Sequence, residues 1–304
     1  MVVEILDAKS QKPLATLTSV TPASTILDVK KEYRKIKTSL YPERQSYRLE
    51  PRGRSLKDED TLSSLGLGAK GVLYFKDLGP QVGWTTVFLT EYAGPLLIYP
   101  IFYIRPSCIY GAGATSEPYA KAVHIALACW TFHYAKRLLE TVFVHRFSHA
   151  TMPIMNIFKN SLYYWGFTAF VSYFINHPLY TPPAYGNVQL YGGLALFVVA
   201  ELGNLSIHIA LKNLRPPGTK LRRILNPTSN PLTCLASLVS CPNYTYEALA
   251  WIGFSVLSQS LPAALFTAAG FYQMSIWALG KLRNYRREFK EYPRSRKAIL
   301  PFIL

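Results

Sequence analysis

The sequence predicts two unlike parts, a small charged head mixing strands with one helix and an all-helical body built to cross a membrane about six to seven times. Three observations predict this. Charge is segregated: residues 1–80 carry 14 Lys/Arg and 10 Asp/Glu, whereas residues 81–304 carry 19 and 7. Only 16% of the 304 residues are charged, against about 25% in ordinary soluble chains. Apolar runs near the 20 residues that a helical span needs recur from Trp84 onward. Disorder, collagen-like fibres and small disulfide scaffolds are excluded by the same composition. The net charge of +16 points to a membrane face rather than nucleic acid, because the basic residues flank apolar spans.

In the head, residues 1–78, MVVEILD and PLATLTSV alternate apolar and polar residues and read as strands. Thr25 is a candidate N-cap for a helix over Ile26–Lys37, with Ile26, Val29, Tyr33 and Ile36 on one face. Tyr47–Leu49 and Gly71–Phe75 read as later strands. The order β-β-α-β-β resembles the ubiquitin-like β-grasp. Because the chain runs on into Trp84, this head is expected to dock or stabilise rather than to serve as a conjugated tail.

The body, residues 79–304, reads as spans over Trp84–Ile104, Ala122–Val144, Leu162–Ile175 and Leu190–Leu211. Ala248–Gly280 is too long for one helix, and Pro262 predicts a break into two. Leu232–Val239 is expected to be re-entrant or a piece of a broken span. Arg146–Asn160 and Lys212–Pro231 read as loops, the latter punctuated by Pro216-Pro217-Gly218. The polar N-terminus predicts no cleavable signal peptide. Lys281–Lys297 carries eight Lys/Arg against two Glu, which places the C-terminus in the cytosol.

Charges inside spans are costly and are functional candidates by default. Glu91 lies mid-span and needs a partner or a proton. The second span carries His133, Tyr134, Lys136, Arg137 and Glu140. Lys136 and Glu140 stand at i,i+4 and are expected to pair, which leaves Arg137 for Glu91 or for a phosphate. Glu201, Asn204 and His208 fall at i, i+3 and i+7, with Arg215 continuing the stripe, and read as a cavity lining. Asn243, Tyr246 and Glu247 precede the apolar run from Ala248. A buried tyrosine hydroxyl there is a candidate proton donor.

Four cysteines are too few and too scattered for a zinc site or a disulfide framework. His145 and His149 have metal-ligand spacing, but six histidines are too few for a di-iron centre, and no metal is expected. GAGA at 111–114 lacks the GxGxxG spacing, so any dinucleotide binds without a Rossmann fold. Its phosphates would then rest on cations such as Lys159, Arg215, Arg296 and Lys297.

HYAKRLLETVFVHRFSHATMPIMNIFKNSLYYWGF (133–167), INHPLYTPPAYG (175–186), GNLSIHIALKNLRPPG (203–218), SCPNYTYEALAWIGF (240–254) and EYPRSRKAILPFIL (291–304) resemble the very-long-chain trans-2-enoyl-CoA reductases of the steroid 5-alpha-reductase superfamily. The resemblance covers nearly the whole chain. It implies NADPH-dependent reduction of trans-2-enoyl-CoA to saturated acyl-CoA in the endoplasmic reticulum membrane, within very-long-chain fatty acid elongation and beside the other elongation enzymes. It also implies a link to sphingolipid metabolism. By motif, it implies that Glu91 and Tyr134 hold the substrate carbonyl, with Lys136 and Arg137 beside them; Tyr246 is the expected proton donor, with Glu91 and Tyr134 as the rival pair. Cofactor contacts carry over to Asn204, Arg215, Asn243 and Tyr285; His208, a further cofactor candidate, stands where the family has an Asp, and Arg296 joins them as a cation for the phosphates. A reductase of a steroid or polyprenol enone and a non-enzymatic membrane scaffold are the alternatives.

Overall fold

A computed structural model of the chain describes residues 1–146, 151–215, 219 and 222–304. These divide into two compact units: Met1–Trp84 with residues 151–156, and the remainder.

The first unit is a four-stranded mixed sheet crossed by one helix, in the expected order. Strands β1 (Val2–Asp7), β2 (Pro13–Leu17), β3 (Gln45–Arg48) and β4 (Lys70–Asp77) stand in the order β2-β1-β4-β3. β1 lies antiparallel to β2 and parallel to β4, which lies antiparallel to β3. Helix α1 (Ile26–Ile36) starts in a capping box. The Asp28 amide donates to Thr25 Oγ1 at 3.2 Å, and the Thr25 amide donates to Asp28 Oδ2 at 2.9 Å. Ile26, Val29 and Tyr33 pack on Val3, Ile5, Leu73 and Phe75. Ile36 does not join them. It is exposed, because the helix ends there and Lys37 turns the chain away. Arg44 grips Asp77 across the sheet edge through two hydrogen bonds of 2.6 and 2.7 Å, which hold that carboxyl below the usual carboxylate range.

A short clip was not legible in the sequence. Strand β5 (Gln81–Gly83) pairs antiparallel with β6 (Thr151–Pro153), with Val82 opposite Met152. Three residues are too few for alternation to register.

The second unit is helical: α2 (Trp84–Tyr103), α3 (Ser107–Tyr110), α4 (Lys121–Phe143), α5 (Met155–Asn176, which begins in the first unit), α6 (Gly186–Leu214), α7 (Pro242–Ser258) and α8 (Leu261–Glu288). The break between α7 and α8 falls as expected. Gln259 adopts φ +45°, Ser260 caps α8 through the Ala263 amide, and Pro262 sits in the first turn, where its missing N–H costs nothing. Two expectations are corrected. Residues 231–237, expected as a re-entrant segment or a piece of a broken span, form a 3-10 turn too short to be a span, opened by Asn230 accepting from the Leu232 amide. The supposed loop 146–160 already holds the first turn of α5, which starts seven residues before the apolar run. Among the described helices, α6 is long and apolar enough to cross a membrane by length and composition.

Small residues set the helix spacing. A methyl on Gly193 would stand 2.6 Å from the Leu257 amide nitrogen, and one on Gly253 would stand 2.7 Å from the Phe197 amide nitrogen. α6 and α7 therefore touch backbone to backbone. Gly253→Ala should lower the thermal denaturation midpoint in detergent by roughly 2–10 °C, the cost of overpacking exceeding the helix-propensity gain. Gly192→Ala, with no atom within 4 Å of the added carbon, should leave the midpoint unchanged or slightly higher.

Candidate active site

Helices α4 and α6 meet along a polar ladder at nearly constant sequence offset. His133 Nδ1 lies 2.7 Å from Glu201 Oε1, Lys136 Nζ donates to Asn204 Oδ1 at 2.8 Å, and Glu140 Oε1 lies 3.0 Å from His208 Nδ1. The first two pairs are 68 residues apart, and so is the third. A fixed offset means that the helices run parallel. The ladder continues with Lys212 donating to the Phe143 carbonyl at 2.8 Å and Arg215 to the Arg146 carbonyl at 3.0 Å.

Helix α7 closes the upper rungs into a ring. Asn204 Nδ2 donates to the Asn243 carbonyl at 3.0 Å and to Glu247 Oε2 at 3.1 Å. Glu247 Oε1 lies 3.4 Å from His133 Nε2 and accepts from Trp251 at 3.2 Å. Lys136 Nζ also stands 2.7 Å from Glu201 Oε2. Each buried charge in the ring thus has an opposite charge or a hydrogen-bonding group against it, the condition for burying ions at tolerable cost. The expected Lys136–Glu140 pair is loose, at 3.9 Å. Arg137 is not left over: Nη1 donates to Glu140 Oε2 at 2.9 Å and Nη2 to the Tyr92 hydroxyl at 2.8 Å.

Beside the ring, Glu91 is buried and accepts from Asn160 at 2.9 Å. Tyr134 is wholly buried among Tyr92, Trp130, Tyr164 and Trp251, and its hydroxyl has no hydrogen-bond partner. An unpaired buried hydroxyl is costly and marks a place where a ligand oxygen can complete the structure.

Tyr246 is placed differently. Its hydroxyl donates to the Leu232 carbonyl at 2.8 Å, and its ring lies over Gly203, where an added methyl would come within 2.3 Å of the ring. Tyr285 and Arg296 belong to another cluster. Tyr285 stacks on Tyr292 at 5.4 Å, with the Arg222 guanidinium 5.7 Å from the Tyr285 ring. The C-terminal strip holds this cluster against the start of α7: the Ser240 amide donates to the Lys297 carbonyl, and Thr245 Oγ1 donates to the Ile299 carbonyl. Arg296 is buried and bonds the Leu225 carbonyl and Asn226, while its Nε has no partner. No carboxylate pairs with it among the described residues. A buried guanidinium in this condition fits a phosphate-bearing cofactor.

Glu140, His145 and His208 bring ligand atoms within 4.8 Å of one another. Arg137 on Glu140, and Lys136 close by, already supply the positive charge there and oppose a metal ion. His149 lies outside the described residues. His133, Asn160 and Trp251 were not singled out as site residues by motif. Only His133 carried a signal, its place on the face shared with Arg137 and Glu140.

Two sequence families match the chain: a ubiquitin-like domain of TECR over residues 1–77 and 3-oxo-5-alpha-steroid 4-dehydrogenase over residues 150–304. A Caenorhabditis elegans protein described as a probable very-long-chain enoyl-CoA reductase is 56% identical, covering 100% of this chain and 99% of its own. A Dictyostelium discoideum very-long-chain enoyl-CoA reductase is 46% identical over 99% of both. A mouse trans-2,3-enoyl-CoA reductase-like protein is 45% identical over 99% of this chain and 84% of its own.

The ring predicts a coupling. Lys136→Met should destabilise by about 3–5 kcal/mol, since it leaves the buried Glu201 carboxylate facing only His133. Adding Glu201→Gln should recover part of that loss. Thermal denaturation of the two single variants and the double variant reads the pair; purely additive losses would mean that the two residues do not interact.

Proposed function

The chain belongs to the very-long-chain enoyl-CoA reductase family, and on that premise we propose that it reduces trans-2-enoyl-CoA to saturated acyl-CoA with NADPH. The reaction is the reductive step that closes a round of very-long-chain fatty acid elongation. The protein works as a multi-pass enzyme of the endoplasmic reticulum membrane, with its C-terminus and active site toward the cytosol, near the other elongation enzymes. The buried, unpartnered Tyr134 hydroxyl carries the reading.

In this reaction negative charge develops on the thioester oxygen as the β-carbon is reduced, and the α-carbon then takes a proton. NADPH supplies the hydride. Tyr134 and Glu91 hold the thioester oxygen and stabilise that charge. Arg137, fixed by Glu140 and Tyr92, adds a positive field that its partial burial leaves only weakly screened. Tyr246 gives the proton to the α-carbon. Its hydroxyl donates to the Leu232 carbonyl inside the 231–237 turn, a bond it gives up to reach the α-carbon. Asn204, His208, Arg215, Asn243, Tyr285 and Arg296 hold the cofactor, the guanidinium groups taking its phosphates. The aromatic wall of Trp130, Tyr164 and Trp251 keeps water from the reacting carbons.

The deciding experiment is NADPH oxidation by the detergent-purified protein with and without a long-chain trans-2-enoyl-CoA. Consumption should depend on the enoyl-CoA and yield the saturated acyl-CoA. NADPH binding without enoyl-CoA reduction would instead favour a steroid or polyprenol enone. Within an active enzyme, Tyr246→Phe should cut kcat at least about tenfold with NADPH affinity intact. Tyr134→Phe should lower kcat/KM for enoyl-CoA by about a hundredfold, as loss of an oxyanion donor does. Wild-type turnover in either variant would remove that residue from the chemistry.

A further inference from the structure

At the end of the helical unit opposite the ring, another buried cation, Arg105, faces a cavity. Val123 there and Lys136 in the ring are 13 residues apart on α4, or about 20 Å along the helix axis. The cavity measures about 280 Å³ and is lined by Arg105, Tyr119, Val123, His177, Tyr180 and three prolines. A neighbouring depression of about 320 Å³ shares His177 and Pro178.

Arg105 is 1% exposed. Its Nε donates to the Asn176 carbonyl at 2.7 Å, and its Nη1 donates to the Glu117 carbonyl at 2.8 Å. Its guanidinium lies 3.8 Å from the centre of the Tyr119 ring. These contacts fix the plane of the fork but supply no negative charge. Among the described residues no carboxylate pairs with Arg105, and Nη2 has no hydrogen-bond partner. A buried guanidinium held only by carbonyls and a ring face is short of an anion.

His177 supplies a second donor. Its Nδ1 accepts from the Leu179 amide at 3.1 Å, which assigns the ring proton to Nε2. The Tyr119 and Tyr180 hydroxyls are occupied, donating to the Tyr103 and Ser258 carbonyls, so neither is a free donor to the cavity. The cavity lining thus combines a charged fork and an imidazole with proline, valine and aromatic carbon. We propose that this cavity binds a phosphate oxyanion, with Arg105 as its counter-ion and His177 as its second donor. The oxyanion is carried on a lipid head group or is free in solution.

The test is a thermal denaturation series on the purified full chain in neutral detergent. Inorganic phosphate is titrated against chloride at matched ionic strength, and phosphatidic acid against diacylglycerol of the same chains. A saturable rise of a few degrees is expected at about ten times Kd. A rise with inorganic phosphate identifies the free anion; a rise with phosphatidic acid alone identifies the lipid head group. Arg105→Gln should abolish the rise. His177→Phe keeps ring contacts with Tyr110 and Tyr173 and should raise the apparent Kd at least about fivefold. No rise with either probe would overturn the proposal. So would a rise that His177→Phe leaves unchanged, a result that decides the matter even if Arg105→Gln fails to fold.

Discussion

The body of this protein is organised by the need to neutralise Glu201. That carboxylate lies inside an apolar helix and is 2% exposed. One oxygen takes His133 and the other takes Lys136, both from α4. This double contact sets the rotation and the axial offset of α4 against α6, because sliding either helix by one turn would strand a buried charge at a cost of several kcal/mol. The rungs below then fall into place, Lys136 on Asn204 and Glu140 on His208.

The candidate catalytic groups inherit their positions from this arrangement. Once Asn204 is anchored by Lys136, its amide is free to bind Glu247 and the Asn243 carbonyl, which fastens the start of α7. Glu140 is likewise held by His208, so it can clamp Arg137, and Arg137 reaches Tyr92 on α2. Tyr134, one residue from His133, is thereby fixed among aromatic rings with its hydroxyl unspent. Preorganisation of this kind is what an electrostatically driven reduction needs, since the charges do not move when the oxyanion forms.

The two ends of the helical unit show the same logic with different completeness. In the ring, carboxylates answer the cations. At the other end Arg105 is answered by carbonyl dipoles and a ring face, which satisfy most of its donors but leave its charge uncompensated.

Much of the fold was legible in the sequence because its signals are local. Alternation and the Thr25 N-cap placed the strands and helix of the head. Apolar run length and Pro262 placed the six long helices, and the stripe Glu201, Asn204, His208 marked one polar face. Local signals failed where structure is short or borrowed: the β5–β6 clip, the first turn of α5 and the exposed Ile36. Pairing was the larger miss. Spacing on one helix joined Lys136 to Glu140, whereas the folded chain joins Lys136 to Glu201 and gives Glu140 to Arg137 and His208. The sequence by itself determined which residues lie on which face, because helical periodicity is a property of neighbours three and four apart. Only the tertiary structure decided the partners, because a 68-residue offset depends on how two separate helices settle their buried charges.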